Sequence, residues 1–165
     1  MTESWQRLLL SFKHIMRLDE FLVKAKINTY ASSGEGGELK LEDGSKELVY
    51  KENGWKYRDR YFGFNHFIGE EIIWENGVVV WGMNYYGRIV DRKAFPKDIN
   101  EILKKALRQV KKDRPFRGPK EFNDGKFSYK DESRGKVDSF EGVEMIYWSG
   151  KKVYELRYHG GLVNK

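Results

Sequence analysis

The sequence predicts an α+β fold in which helices pack on one curved, antiparallel meander sheet of about seven strands. Two Asn-Gly pairs lie between stretches rich in β-branched and aromatic residues, which indicates tight hairpins. Apolar stripes with helical spacing precede both hairpin regions. The chain has 165 residues, of which 39% are hydrophobic and 34% charged, so we expect a single globular domain over 1–165.

The first elements are predicted to be helices. Apolar residues from Trp5 to Met16 recur every three or four positions, which predicts a helical extension over 1–17. Asp19 is suited to cap a second helical stretch, Phe21 to Lys26, at the start of the main domain. The main α+β domain is therefore expected over 18–165.

A loop and a series of hairpins follow the helices. Residues 31–45 are rich in glycine, serine and glutamate without periodicity, which predicts a long loop. The pairs Asn53-Gly54 and Asn76-Gly77 favour type I′ turns, because both turn positions need positive φ. The strands predicted around these turns are 47–52, 55–62, 69–74 and 78–86.

A helix and three more strands complete the prediction. Pro96 suits a first helical turn, and apolar residues from Ile99 to Val110 form a stripe that predicts a helix to about Lys112. This helix should pack on the sheet through Ile99, Leu103, Ala106 and Val110. Strands are predicted again at 126–130, 143–148 and 152–158.

The hairpin pattern occurs twice at an offset of 73 residues. Residues 67–90 align with 140–163, and nine of these 24 positions are identical, Glu71/Glu144 and Tyr85/Tyr158 among them. This favours an internal duplication of a unit made of one helix and about three strands. The alternative is that two hairpins with the same turn type resemble each other by chance.

Tight turns predict registers, and registers predict which face each side chain occupies. Counting from the turns pairs Glu71 with Gly82 and Glu144 with Glu155, and it puts these residues on the face opposite the core. The Glu144–Glu155 pair would repel, so a shifted pKa is expected. The missing side chain of Gly82 would leave a gap beside Glu71 for a ligand. Solvated or salt-bridged glutamates are the alternative.

Aromatic residues and carboxylates alternate on several predicted strands. Tyr57, Asp59 and Tyr61 should share one face of a strand, where they could form a box for a cationic or planar ligand or pack in the core. Arg117 lies in a proline-flanked turn, where it could clamp an anion or pair with a surface acid. The candidate ligand-binding residues are Tyr57, Asp59, Tyr61, Glu71, Trp81, Asn84, Tyr85, Tyr86, Arg117, Glu144, Tyr158 and His159.

Composition excludes several classes of site. The chain has no cysteine and three histidines, so thiolate chemistry is excluded and a metal centre is not expected. The sequence contains no recognisable phosphate loop or hydrolase motif, and no cofactor is predicted. The absence of cysteine and of a long apolar run predicts a soluble, cytoplasmic protein that does not enter membranes.

The net charge is +6, and the densest basic run lies in and after the predicted helix at Pro96. On a helix this run would cover most of a solvated face, so nucleic acid is not the expected partner. A small molecule of undefined identity is the expected partner, and self-association into a homo-oligomer is left open. The run contains Lys104, Lys105, Arg108, Lys111, Lys112 and Arg114.

Several motifs together resemble a prokaryotic family known only as a domain of unknown function, DUF5680. They include Tyr57 to Gly63, Trp81 to Gly87, Pro115 to Pro119 and Tyr154 to Gly161. The resemblance covers about Leu18 to Val163. It implies a module that occurs alone or fused to helix-turn-helix regulators, which suggests sensing, and it implies no established activity.

Three hypotheses for function follow from these residues. The first is a small-molecule binding or sensing module with an aromatic and acidic cleft. The second is a hydrolase-like enzyme that uses Glu71 or Glu144 as general acid or base, with His159 nearby. The third is a nucleic-acid or protein interaction module that uses the basic helix.

Overall fold

The computed structural model describes residues 16–29, 37–91 and 94–163. The described ranges contain two helices and nine strands. The helices are α1 (Leu18–Asn28) and α2 (Pro96–Leu107). The strands are β1 (Leu39–Lys40), β2 (Lys46–Glu52), β3 (Trp55–Gly63), β4 (His66–Glu75), β5 (Val78–Ile89), β6 (Glu121–Asp124), β7 (Phe127–Lys136), β8 (Ser139–Trp148) and β9 (Lys151–Leu162).

All nine strands belong to one antiparallel sheet in the order β1-β2-β3-β4-β5-β9-β8-β7-β6. The chain therefore runs as a meander from one edge to the centre, and then returns from the other edge to the centre. The pairing of β5 with β9 joins the two halves. The α+β class and the antiparallel sheet are confirmed, whereas the expected number of about seven strands is too low.

The two strands missed by the sequence prediction are short. β1 has two residues and β6 has four, which is too few to show an alternating pattern. β1 falls inside the predicted loop 31–45, of which residues 30–36 lie outside the described part of the chain. Residues 1–15 also lie outside it, so the predicted helical extension stays a prediction.

Helix α1 begins at Leu18, with Arg17 at its N-cap rather than Asp19. The Arg17 backbone N–H donates to the Glu20 carboxylate at 3.3 Å, and both acids of the first turn lie where the helix dipole favours negative charge. The inner face of α1 buries three apolar residues and, unusually, a lysine. These residues are Phe21, Leu22, Ala25 and Lys26.

Helix α2 packs on the sheet as predicted, through Ile99, Leu103 and Ala106. It ends at Leu107, not near Lys112, although Val110 is still buried in the connector that follows. Pro96 occupies the first turn, where its missing N–H costs nothing. The connector from 108 to 120 then brings Phe116 and Arg117 into the core beside the sheet.

Both long hairpins contain a β-bulge that reverses the predicted faces of their first strands. Ile73 pairs with Trp81 and Trp74 with Val79, so Val80 is an extra residue in β5. Val153 is likewise the extra residue in β9. Because side chains alternate with a period of two, one extra residue changes which residues share a face.

The predicted pairs of the two glutamates are therefore wrong. Glu71 lies opposite Met83 rather than Gly82, and Glu144 lies opposite Leu156 rather than Glu155. Both glutamates are buried on the face that the helices cover. The glutamates thus belong to the interior, and the expected repulsion between Glu144 and Glu155 does not occur.

One apolar cluster extends through both halves of the described chain, between the sheet and the helices. Aromatic rings link its parts. Phe140 stacks with Phe116 at a centroid distance of 4.0 Å and with Trp81 at 5.5 Å. The opposite face of the sheet carries exposed side chains such as Ile68 and Tyr86. Within the described ranges no helix is long and apolar enough to cross a membrane.

Candidate functional site

In the described part of the chain, six charged side chains are buried between the helices and the sheet. Isolated charges cost several kcal/mol to bury unless they are paired and hydrogen-bonded. The partners of each group therefore indicate whether it is structural or free to bind something else. The six residues are Lys26, Asp59, Glu71, Arg117, Asp131 and Glu144.

Glu144 on β8 is hydrogen-bonded by four donor groups. Arg117 donates to both carboxylate oxygens, from Nε at 3.0 Å and from Nη2 at 2.9 Å. The hydroxyl of Tyr129 donates at 2.7 Å and that of Tyr154 at 3.1 Å. Burial opposes the charge of Arg117, but Glu144 and Tyr154 hold the pKa of its guanidinium well above the usual value. This is a closed structural ion pair.

Asp131 lies beside Glu144 in the register of β7 with β8. The Tyr158 hydroxyl donates to one oxygen at 2.8 Å, and Arg114 Nη2 donates to the other at 3.0 Å. Arg114 also donates to Ser133 Oγ at 3.0 Å. Burial, together with the Glu144 carboxylate, raises the pKa of Asp131 to about 7. Even so, both of its oxygens have donors.

Glu71 on β4 forms the corresponding ion pair in the first half. Lys26 Nζ of α1 donates to Glu71 Oε2 at 2.5 Å, and both side chains are almost fully buried. Burial lowers the pKa of Lys26 below its usual value, while the Glu71 carboxylate opposes that change. Burial also raises the pKa of the neighbouring Tyr57 well above its ordinary value. The two halves thus use different cations for equivalent carboxylates.

Asp59 on β3 lies opposite Glu71 in the register of β3 with β4. The Tyr85 hydroxyl donates to Asp59 Oδ1 at 2.5 Å. Among the described residues, no hydrogen bond reaches Oδ2 and no cation contacts the carboxylate, although 5% of Asp59 is exposed. Burial and the nearby Glu71 charge raise the pKa of Asp59 to about 7. Asp59 thus has one hydrogen-bond donor and no cation among the described residues, whereas Asp131 has both.

The two halves correspond position by position around these acids. The equivalent pairs are Tyr57/Tyr129, Asp59/Asp131, Gly69/Gly142, Glu71/Glu144 and Tyr85/Tyr158. Each glycine makes room for a tyrosine, because a Cβ there would overlap the hydroxyl of Tyr85 or Tyr158. The small residues in β4 and β8 therefore allow each tyrosine to reach its aspartate.

A small pocket opens beside Asp59, between α2 and one end of β3, β4 and β5. Its volume is about 50 Å³. Asp59 and Arg117 form its polar wall, and aromatic rings form much of the rest. The lining residues are Asp59, Tyr61, Gly63, Phe64, Phe67, Tyr85, Asn100, Leu103 and Arg117.

A second, wider groove of about 870 Å³ involves five strands from β4 to β9. Residues of the open sheet face line it, in the register rows that contain Asn84 with His159 and Tyr86 with Arg157. Members of the buried network also line it, namely Arg114, Asp131 and Tyr158. This groove carries both charge signs. The structure contains nothing that identifies an occupant.

The structure brings together only part of the predicted site. Asp59, Tyr61, Tyr85 and Arg117 line the small pocket, whereas Tyr57 is buried beside Glu71 and does not line it. The other predicted residues fall into three groups. Glu71, Glu144 and Tyr158 are engaged in the buried network, Trp81 packs in the core with its Nε1 donating to the Val137 carbonyl, and Asn84, Tyr86 and His159 lie on the open face.

The predicted alternation on β3 is confirmed, since Tyr57 and Asp59 are buried while Arg58 and Arg60 point away from the core. Arg117 pairs with an acid, as one alternative proposed, but the acid is buried Glu144 rather than a surface residue. Glu155 lies on the other face, where a hydrogen bond from Lys152 lowers the pKa of its carboxyl.

Sequence reasoning missed several members of the network. Asp131 and Tyr129 align with Asp59 and Tyr57 at an offset of 72, so the repeat pointed to them, but neither is among the predicted ligand-binding residues. Lys26 has no such signal, because it resembles any solvent-exposed helical lysine in the sequence. Within the described residues, no group of three or more His, Cys, Asp or Glu is arranged to hold a metal ion.

Comparison with known proteins gives one match. A family model described as Domain of unknown function (DUF5680) matches residues 59–163, well over half of the chain. The matched range includes Asp59, the Arg117–Glu144 ion pair and both long hairpins. No curated protein and no solved structure matches the chain.

Proposed function

The chain belongs to the DUF5680 family, whose description names no activity. From the geometry of the interior, we propose that this protein is a small-molecule binding module. The ligand enters the pocket between α2 and the ends of β3, β4 and β5. The observation that carries the proposal is the Asp59 carboxylate, which lines this pocket with one oxygen that no described residue satisfies.

The walls of the pocket support this proposal. Ligand sites are mostly apolar concavities with a few convergent polar groups. Phe67 and Tyr85 supply aromatic walls, Leu103 supplies an aliphatic wall, and Asp59 and Arg117 supply opposite charges. Phe64 at the entrance is about half exposed, so an apolar ligand body would cover a ring that water now contacts.

The hydrolase-like alternative has less support. A general acid or base must reach a substrate proton and be free to exchange it. The Glu144 oxygens are engaged by Arg117, Tyr129 and Tyr154, and the whole residue is inaccessible to solvent. Glu71 is engaged by Lys26, and His159 lies on the opposite face of the sheet.

The nucleic-acid alternative also has less support. Several members of the basic run make intramolecular ion pairs, which leaves fewer charges to neutralise phosphates. Lys105 pairs with Asp124, Lys112 pairs with Glu20, and Arg114 pairs with Asp131.

A thermal-shift screen of a metabolite library tests the proposed pocket. Compounds that bind the folded state raise the melting temperature through linkage. Phe64→Ala should reduce the shift caused by a hit, because Phe64 lines the pocket. The matched control is Phe62→Ala, which removes a similarly exposed ring that does not line the pocket.

Two results would contradict the proposal. One is a library without any stabilising compound. The other is a set of hits whose shifts Phe64→Ala and Phe62→Ala reduce equally, since binding would then lie elsewhere.

A further inference from the structure

We propose that the ligand of this pocket is a cation with N–H donors, such as a primary ammonium group, which takes beside Asp59 the place that the Arg114 guanidinium takes beside Asp131. This inference rests on the proposed small-molecule function and adds the chemical class of the ligand. It comes from comparing the two halves of the sheet residue by residue.

The second half shows the completed arrangement. Arg114 Nη2 bridges Asp131 Oδ2 and Ser133 Oγ, two positions on the same face of β7. Asp59 and Tyr61 are the equivalent positions on β3. Both Asp59 and Tyr61 line the small pocket. The pocket therefore lies where the other half holds a guanidinium.

In the first half, no described side chain contacts Asp59 in the way that Arg114 contacts Asp131. Arg114 lies in the connector between α2 and β6, and the connector between α1 and β1 is its equivalent by position in the chain. The sequence from Thr29 to Leu39 contains neither lysine nor arginine. The two nearest buried cations are engaged, because Lys26 donates to Glu71 and Arg117 donates to Glu144. Among the described residues, no further cation contacts Asp59, so this position can accept one from a ligand.

The size and walls of the pocket suit an ammonium head group. A volume of about 50 Å³ holds only a few water-sized groups. An ammonium could donate to the unsatisfied Asp59 oxygen while its substituent extends along Phe67 and Phe64 towards solvent. Aromatic rings attract cations through their faces, so these walls favour an amine over a carboxylic acid of the same size.

Three probes with the same ring separate charge from shape: benzylammonium, benzyl alcohol and benzoate. We expect calorimetry at about pH 8 to show benzylammonium binding at least about tenfold tighter than the other two, a difference of about 1.4 kcal/mol. Asp59→Asn should remove this preference. Asp131→Asn is the matched control and should leave it unchanged, because Arg114 already occupies that site.

The pH dependence gives a second readout that needs no variant. Benzylammonium binds the ionised carboxylate, so its affinity should rise from about pH 6 to about pH 8 as Asp59 loses its proton. The charged and titratable groups that face Asp59 are Lys26, Tyr57, Glu71, Tyr85 and Arg117. An affinity that does not change over this range would contradict the inference.

The other outcomes separate the two proposals. If benzyl alcohol binds as tightly as benzylammonium, and Phe64→Ala weakens both, the pocket is real but the cation inference is wrong. If none of the probes binds and the library screen also yields no ligand, both proposals fail. If Asp59→Asn and Asp131→Asn weaken benzylammonium equally, the ammonium does not occupy the Asp59 site and the inference is overturned.

Discussion

Asp59 and Asp131 occupy equivalent positions in the two halves but differ in one neighbouring residue, Arg114. Each lies beside a glutamate across the strand pair and accepts a hydrogen bond from a tyrosine. Asp131 also accepts a hydrogen bond from Arg114, whereas no described cation contacts Asp59. The desolvation cost of a buried carboxylate is offset by its hydrogen-bond donors. An added donor should therefore stabilise the Asp59 carboxylate more than the Asp131 carboxylate.

The raised pKa values of these aspartates predict an unusual pH dependence of stability. In the folded protein the pKa of Asp59 and of Asp131 is raised to about 7, whereas in the unfolded chain each has the ordinary aspartate pKa of 3.8. The folded state then binds more protons between about pH 4 and pH 7. The free energy of unfolding should therefore fall as pH rises across this window, by up to about 1.4 kcal/mol per pH unit for each group.

Urea unfolding at a series of pH values measures this slope. Asp59→Asn and Asp131→Asn should each remove part of it, because asparagine does not titrate. Asp113→Asn is the control, since Asp113 is exposed and should leave the slope unchanged. Stability that rises with pH over this window in the wild-type protein, or equal slopes in all four proteins, would contradict the prediction.

At the scale of single strands, glycines and bulges determine which side chains contact each buried carboxylate. The extra residues Val80 and Val153 let Glu71 and Glu144 share the buried face with Trp81 and Tyr154. Gly69 and Gly142 then leave space for the tyrosine hydroxyls that reach the aspartates. A bulge in each half and a glycine in each half thus serve the same polar network.

Gly69→Ala should destabilise the protein by about 1 to 3 kcal/mol, the usual cost of overpacking. Its Cβ would overlap the Tyr85 hydroxyl and the Arg60 carbonyl, so Tyr85 would have to leave Asp59. The control is Gly82→Ala, whose Cβ meets the flexible end of Ile72 at 3.0 Å on the open face. Denaturant unfolding compares the two variants, and equal costs would contradict the role given to Gly69.

For the molecule as a whole, the central β5–β9 pairing and the shared apolar cluster join the two halves. The ion pairs also cross between elements that are far apart in sequence, as Lys26 with Glu71 and Arg117 with Glu144 do. We therefore expect the halves to unfold together. The internal duplication suggested by the repeat stays a prediction.

A single cooperative transition is the expected result of thermal or urea unfolding, with tryptophan fluorescence and far-ultraviolet circular dichroism changing together. Leu22→Ala in the first half and Leu156→Ala in the second should each lower the midpoint for both probes. Both leucines are fully buried, and truncating a buried leucine to alanine lowers the free energy of unfolding by about 2 to 5 kcal/mol. Two separate transitions, each sensitive to one variant only, would show that the halves are independent.

Local patterns in the sequence were sufficient to predict the antiparallel hairpins, the apolar stripe of α2 and the family. Turn residues, alternation and helical spacing act between near neighbours in the chain, and Asn53-Gly54 and Asn76-Gly77 do form the expected turns with positive φ. The alternation of Tyr57 and Asp59 with Arg58 along β3 likewise follows from the local sequence.

Only the tertiary structure decided which face the glutamates occupy and which cations they meet. A single bulged residue reverses the faces, and nothing in the local pattern distinguishes Val80 from its neighbours as the bulge. Lys26 reaches Glu71 across 45 positions of the chain, and Arg117 reaches Glu144 across 27. Such pairings depend on how helices dock on the sheet, and for the same reason the incomplete partnering of Asp59 is a property of the fold.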